Sequence, residues 1–215
     1  MPAANSYGPL LDALRGVSWP ARRVVRGSAM GTHRSRLRGV SPEFTEYRPY
    51  RQGDDPRTLD WKLLARTDRA YRRITADRAT LGTIVLVDAS LSMRFPAGAG
   101  SKWEHACRLA VGLIAVAHAA GDPAGLVVPT PDATRNLAPR TRRGVIAEAA
   151  RLLSEVAPEG SAPLAPALAH FRRATRVAIL SDLLGDADAL LRAAHERIIG
   201  GGEVEAVHVI AREEL

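Results

Sequence analysis

Three oxygen-bearing side chains, Asp88, Ser90 and Ser92, lie at alternate positions of the chain. One carboxylate and two hydroxyls form an all-oxygen donor set, which suits a hard cation such as Mg²⁺. The same residues can instead form a turn and cap a following helix, because Asp and Ser side chains accept hydrogen bonds from nearby backbone amides. The spacing alone therefore leaves a metal site and a capped turn open.

The residues before Asp88 predict the element that positions it. Residues 83–87 form a nearly continuous β-branched and apolar run, which is typical of a central strand buried on both faces by helices. A second run over 176–181 ends at Asp182. Because ligands bind at the carboxyl edge of open α/β sheets, both aspartates are expected at that edge.

The rest of the chain alternates between the two kinds of element. Strands are predicted over 124–128 and 204–210, and helices over 102–120, 142–156 and 187–199. The fold class that this order predicts is α/β, with a doubly wound, mostly parallel, Rossmann-like sheet. We assign this domain to residues 76–215.

Residues 1–75 are expected to pack on that domain as a basic N-terminal extension. Its predicted parts are an amphipathic helix over 7–17, a basic segment over 22–38, an edge strand over 44–50 and a helix over 56–66. Asp55 is the expected N-cap of the last helix, with Pro56 at its first position. Leu59, Leu63 and Trp61 are expected on its buried side.

Composition limits the possible functions. The 215 residues are 46% hydrophobic, and Cys107 is the only cysteine, which excludes a disulfide framework and a cysteine zinc site. We find neither a membrane-spanning stretch nor a signal peptide and expect a cytoplasmic protein. Residues 15–73 contain fifteen Lys or Arg and six Asp or Glu, whereas the remainder sums to −2. This extension therefore suits an acidic protein surface or a nucleic acid.

The segment Asp88-Ala-Ser-Leu-Ser92 resembles the Asp-x-Ser-x-Ser signature of the metal-ion-dependent adhesion site in von Willebrand factor A domains. The resemblance implies a von Willebrand A-like core in which Ser161 stands where those domains place a threonine ligand and Asp182 is the distal aspartate. The implied metal ligands are Asp88, Ser90, Ser92, Ser161 and Asp182. The implied ion is Mg²⁺, with Mn²⁺ and Ca²⁺ as alternatives.

A second resemblance comes from residues 39–67, which include Tyr-Arg-Pro-Tyr-Arg-Gln-Gly-Asp-Asp-Pro-Arg and Leu-Asp-Trp-Lys. This block is similar to the hallmark of the domain of unknown function 58 family. The resemblance implies a non-enzymatic protein-interaction module that works with a MoxR-type AAA+ ATPase in the assembly or maturation of an unidentified client protein. Many relatives carry a pair of membrane helices ahead of the block, and no such stretch precedes it here.

Two alternatives remain. An aspartate at the end of a parallel strand, with magnesium, is also typical of phosphatases that use an aspartyl nucleophile. Those enzymes need a second aspartate at the position of Ser90, and no Lys or Arg is expected beside Asp88. Nucleic-acid binding through the basic extension is the other alternative, although aromatic residues are few and no reading motif is present.

Overall fold

The structure is a computed structural model that describes residues 7–21, 30–34, 44–51, 57, 59–75, 78–79, 81–161, 163–171 and 175–215. In these ranges the strands are β1 Met30–Arg34, β2 Phe44–Pro49, β3 Tyr71–Thr75, β4 Arg78–Ala79, β5 Gly82–Val87, β6 Ala124–Pro129, β7 Thr134–Arg140, β8 Thr175–Ser181 and β9 Glu203–His208. The helices are α1 Gly8–Ala13, α2 Trp61–Thr67, α3 Lys102–Ala119, α4 Val145–Ser154, α5 Leu164–Ala169 and α6 Ala187–Ile199.

Five strands form one sheet in the order β7-β6-β5-β8-β9. β6, β5, β8 and β9 are parallel, and β7 pairs with β6 in the antiparallel direction. The chain adds β6 and β7 on one side of β5 before it crosses to the other side for β8 and β9. The carboxyl ends of β5 and β8 therefore flank the point where the strand order reverses, which is where open α/β sheets bind ligands.

The apolar run of β5 is buried on both faces of this sheet. Val85 and Val87 belong to a core shared with α3 and α4, whereas Ile84 and Leu86 belong to a second core shared with α5 and α6. Successive side chains of a strand point to opposite faces, so a strand between two helical layers needs apolar residues at every position. The predicted α/β class and doubly wound sheet are confirmed.

The predicted helix and strand positions hold closely in this sheet. α6 has the predicted bounds, and α3 begins after Ser101, whose hydroxyl accepts from the Glu104 amide at 3.2 Å. α4 begins at Val145, three residues later than predicted. The sequence prediction lacks β7, because Leu137 is its only buried residue and Pro139 lies within it, as edge strands tolerate.

Residues 7–21 belong to the same compact unit as the sheet. The chain divides into Met1–Arg22 with Leu81–Leu215 and a second unit of Arg23–Thr80, whereas we had grouped residues 1–75 together. Leu10 and Leu11 of α1 pack on the core, and Arg176, fully buried in β8, donates to the Trp19 carbonyl at 2.9 Å. The N-terminal helix is therefore part of the α/β unit.

The second unit contains two antiparallel strand pairs and α2. β1 pairs with β4, and β2 pairs with β3, so the predicted edge strand is confirmed. The predicted helix over 56–66 is wrong in its start: α2 begins at Trp61, and Asp60 is the N-cap, accepting from the Lys62 and Leu63 amides. Asp55 and Pro56 lie outside the described residues.

The predicted burial of Trp61 is also wrong, since 64% of this residue is exposed. It occupies the first position of a seven-residue helix in which no residue is buried.

No helix in the described part of the chain is long and apolar enough to cross a membrane.

Candidate metal and interaction site

Asp88 lies at the end of β5, in register with the end of β8. Its backbone amide donates to the Leu180 carbonyl at 2.9 Å. The carboxylate is only 4% exposed and accepts from the Ser90 amide at 2.8 Å and from the Ser181 hydroxyl. The predicted turn is thus confirmed, because the Asp88 side chain accepts from the Ser90 amide. The two hydrogen bonds fix the carboxylate at the edge of the sheet.

Ser90 and Ser92 follow on a short 3-10 turn, Leu91–Arg94. Ser90 is the N-cap residue of this turn, but its side chain caps no backbone amide. Instead the two hydroxyl oxygens lie 3.0 Å apart. The prediction that the Ser90 hydroxyl caps a following helix is therefore wrong. Both serines instead present hydroxyl oxygens close in sequence to Asp88.

Ser161 reaches the same place on a separate loop. The Glu159 amide donates to the Ala89 carbonyl at 2.9 Å, and the Leu91 amide donates to the Gly160 carbonyl at 3.1 Å, which ties this loop to the one after β5. Gly160 has a φ of 53°, which favours glycine. Ser161 is exposed. The N-cap residue of α5 is Pro163, so Ser161 does not cap that helix.

These side chains line one open cavity of about 700 Å³. The polar part of its lining, here called the polar end, contains Asp88, Ser90, Ser92, Ser161 and Ser181, so four of the five predicted ligands line this cavity. Most of the remaining lining is an apolar wall from α5, from the loop after β8 and from α6. Its larger residues are Pro163, Leu164, Pro166, Leu183, Leu184 and Leu190.

Asp182, the fifth predicted ligand, lies beside this cavity and is bound by other partners. Its Oδ1 accepts from the Leu184 amide at 3.2 Å, and its Oδ2 is 2.8 Å from Lys102 Nζ. Asp182 is therefore an acidic neighbour of the cavity and already has a cation.

Lys102 is a site residue that the sequence analysis did not identify. Its side chain is 1% exposed, and the ammonium lies 2.8 Å from Asp182 and 2.6 Å from Glu214, in the short turn at residues 212–214. Lys102 therefore places a cation beside Asp182. Its partners are distant in sequence, and its place in the first turn of α3 was the only available signal.

This ion-pair cluster shifts three pKa values. Burial alone would raise the pKa of the Asp182 carboxyl, but the hydrogen bonds from Lys102, Ser92 and the Leu184 amide outweigh it and hold that pKa below its ordinary value. Burial likewise opposes the charged form of Lys102, and the two carboxylates outweigh it and raise its pKa. Lys102 also lowers the pKa of Glu214. All three groups are therefore charged at neutral pH.

The donor set at the polar end of the cavity fits a hard cation, because every side-chain donor is oxygen and one of them is a carboxylate. Within the described ranges, no group of three or more His, Cys, Asp or Glu side chains could hold a metal. A cation at this edge would therefore depend on the hydroxyls of Ser90, Ser92 and Ser161 together with Asp88.

Residues that we did not assign to the metal site have other roles. Asp186 lines the cavity but caps α6 by accepting from the Ala189 amide at 2.8 Å. His118 Nε2 lies 3.1 Å from the Thr141 carbonyl oxygen, on the surface. Cys107 is buried and packs in the hydrophobic core.

Comparison with known families gives one extensive match. The model described as "Protein of unknown function DUF58" matches residues 46–215. Uncharacterized proteins from Mycobacterium bovis and Mycobacterium tuberculosis are 30% identical over 184 residues. The alignment covers 82% of this chain and 58% of each relative, so the chain spans little more than half of their length.

Solved structures give weaker similarities. An aerotolerance-related membrane protein from Bacteroides fragilis has a TM-score of 0.49 at 19% identity, with 59% of this chain and 66% of that chain covered. A von Willebrand factor type A protein from Catenulispora acidiphila has a TM-score of 0.44 at 17% identity, with 62% and 34% covered.

Proposed function

The chain belongs to the DUF58 family, and from this premise we propose that it is a metal-ion-dependent protein-interaction module. The observation that carries the proposal is that Asp88, Ser90, Ser92 and Ser161, which are all oxygen donors, line the same open cavity. The Asp-x-Ser-x-Ser resemblance of residues 88–92 adds support. The proposed ion is Mg²⁺, with Mn²⁺ or Ca²⁺ as substitutes.

The donor chemistry favours binding over catalysis. Neutral hydroxyl donors leave a cation electron-poor, so a bound Mg²⁺ would supply an electrophilic centre for a carboxylate of a partner protein. The chain's own residues would hold the ion: Asp88 supplies a negative charge, and the loop at Gly160 fixes the position of the Ser161 hydroxyl. In a partly desolvated cavity such a contact is stronger than an exposed ion pair.

The proposed partners follow from the family resemblance. We propose an adaptor that connects a MoxR-type AAA+ ATPase to a client protein during assembly or maturation. In this proposal the partner contributes an Asp or Glu to the cavity. The described lining residues include no positioned pair of nucleophile and general base, which favours binding over catalysis.

A hydrolase that uses Asp88 as nucleophile is less well supported. The second aspartate of such enzymes is replaced by Ser90, and Lys102 is engaged by Asp182 and Glu214 at the side of the cavity. Nucleic-acid binding rests on the basic residues between Arg15 and Arg73, some of which lie outside the described residues. It differs from metal-bridged binding in one measurable way: phosphate contacts lose affinity steeply with salt, whereas a metal bridge is abolished by EDTA.

Co-purification of the tagged protein from its native cells tests the proposed function. We expect a MoxR-type ATPase or its client to be retained in Mg²⁺ and released by EDTA. Asp88→Asn should retain much less partner, because the amide removes the negative charge while keeping an acceptor for the Ser90 amide.

Asp186→Asn is the matched control, since this carboxylate lines the same cavity but serves as a helix cap, a role that Asn fills equally well. Equal retention of the partner by wild type, Asp88→Asn and EDTA-treated protein would contradict the proposal.

A further inference from the structure

The apolar wall of the cavity suits an apolar group. Leu164 and Leu190 are buried in this wall, whereas Leu184, which also lines the cavity, is 69% exposed. A cavity of about 700 Å³ is large enough for several side chains of a ligand. An exposed leucine beside such a cavity is available for contact with a partner.

The backbone presents Leu184 in a specific way. Leu183 has a φ of 56°, in the left-handed region. A bulky residue adopts this conformation at a cost in free energy, which the surrounding structure must offset. The Leu183 amide donates to the Ser181 hydroxyl at 2.9 Å, and that hydroxyl donates to the Asp88 carboxylate. The Leu184 amide is fixed by Asp182. The turn that exposes Leu184 is therefore fastened to the residues at the polar end of the cavity.

Charge further limits what can lie against this wall. Asp186 carries the only charged side chain among the described residues of the wall, and its carboxylate already caps α6. A neutral apolar group therefore fits the wall, while an acidic group would be repelled by Asp186. At the polar end, the proposed cation attracts a carboxylate.

We infer that the site recognises a protein segment in which an Asp or Glu stands directly beside a large apolar residue such as Leu, Ile or Phe. The inference rests on the proposed function for the acidic residue and on the Leu183-Leu184 turn for the apolar one. The acid binds at the end that contains Asp88, and its neighbour packs against Leu184 and Leu190. The turn after β8 is thus a specificity-determining element of the site.

Three short peptides test this inference by NMR titration of the full chain in Mg²⁺: acetyl-Leu-Asp-Leu-amide, acetyl-Ser-Asp-Ser-amide and acetyl-Leu-Asn-Leu-amide. The first should bind about tenfold more tightly than the second, the gain expected from burying most of one leucine side chain. The third should bind weakly, and EDTA should weaken the first.

Two leucine variants locate the effect. Leu184→Ser should remove most of the preference for Leu-Asp-Leu over Ser-Asp-Ser. Leu191→Ser is the matched control, because Leu191 is 66% exposed on α6 but does not line the cavity, and it should leave the preference unchanged.

The possible failures are distinguishable. Equal affinities for Leu-Asp-Leu and Ser-Asp-Ser, both sensitive to EDTA, would overturn this inference and leave the proposed function standing. Equal affinities for Leu-Asp-Leu and Leu-Asn-Leu, insensitive to EDTA, would overturn the proposed function and the acidic half of the inference. Tighter binding of octanoate than of Leu-Asp-Leu would identify a small-molecule site instead, and no binding of Leu-Asp-Leu at millimolar concentration would overturn the inference.

Discussion

At the scale of single residues, the site combines a pattern visible in the sequence with an ion-pair cluster that is not. The buried run over residues 83–87 predicts the location of Asp88 at the end of a strand, and Ser90 and Ser92 follow it directly in sequence. Lys102 could not be predicted, because its partner Glu214 is 112 residues away and only the fold brings the two together. Long-range charge pairing of this kind leaves no periodic signal in a sequence.

The Lys102 ion pair makes the first prediction. Lys102→Met should lower the free energy of unfolding by about 3 kcal/mol, because it leaves the buried Asp182 carboxylate without its cation. Asp182→Asn in the same protein should restore most of the loss, since no uncompensated charge then remains. Urea unfolding of both single variants and the double variant measures the coupling. Additive effects of the two substitutions would show that the pair is not coupled.

Cys107 makes the second prediction at this scale. Burial, with a smaller contribution from Glu104, raises the pKa of its thiol from 9.0 to about 12. The thiolate is the reactive form, so the folded protein should contain almost none of it at pH 8. We expect a disulfide reagent such as DTNB to label Cys107 only after unfolding in urea. Rapid stoichiometric labelling of the folded protein at pH 8 would contradict the burial of this residue.

At the scale of elements, predictions from the sequence succeed where a segment is buried on a regular face. β5, β8 and α3 have strong apolar patterns and were predicted within one residue at each end. β7 and the start of α2 were not. β7 buries a single residue, and α2 buries none, so neither carries the pattern that identifies an element. For α2, two aspartates were available as N-caps, and Asp60 rather than Asp55 begins the helix.

At this scale we predict the effect of a substitution at Gly125 on the pairing of β6 with β7. A Cβ at this position of β6 would lie 2.5 Å from the Leu137 carbonyl oxygen and 2.8 Å from the Pro139 nitrogen, both backbone atoms of β7. Gly125→Ala should therefore lower the free energy of unfolding by about 1–3 kcal/mol or more, because the two strands must separate.

Gly112→Ala in α3 is the matched comparison. Its Cβ would meet the Cδ1 atom of Leu14 at 3.1 Å and the Cδ2 atom of Leu10 at 3.9 Å, both ends of side chains that can move. Alanine is also the better helix former by about 1 kcal/mol. We expect little net change in its urea midpoint. A Gly125→Ala protein as stable as wild type would show that β7 does not approach β6 as closely as described.

At the scale of the whole molecule, the α/β unit and the second unit differ in what the sequence revealed. The α/β class and the position of Asp88 follow from elementary rules about buried strands. The basic charge of residues 15–73 was equally visible, but charge alone does not specify a partner. The family match runs from residue 46 to residue 215, so it includes residues 46–80 of the second unit as well as the α/β unit from Leu81 onward.

Calorimetric titration with Mg²⁺ tests most directly whether a cation binds at the polar end of the cavity. We predict that the wild-type protein binds Mg²⁺, that Asp88→Asn lowers the affinity at least about tenfold, and that Asp186→Asn leaves it unchanged. No binding by the wild type, or the same affinity in wild type and Asp88→Asn, would contradict the metal site.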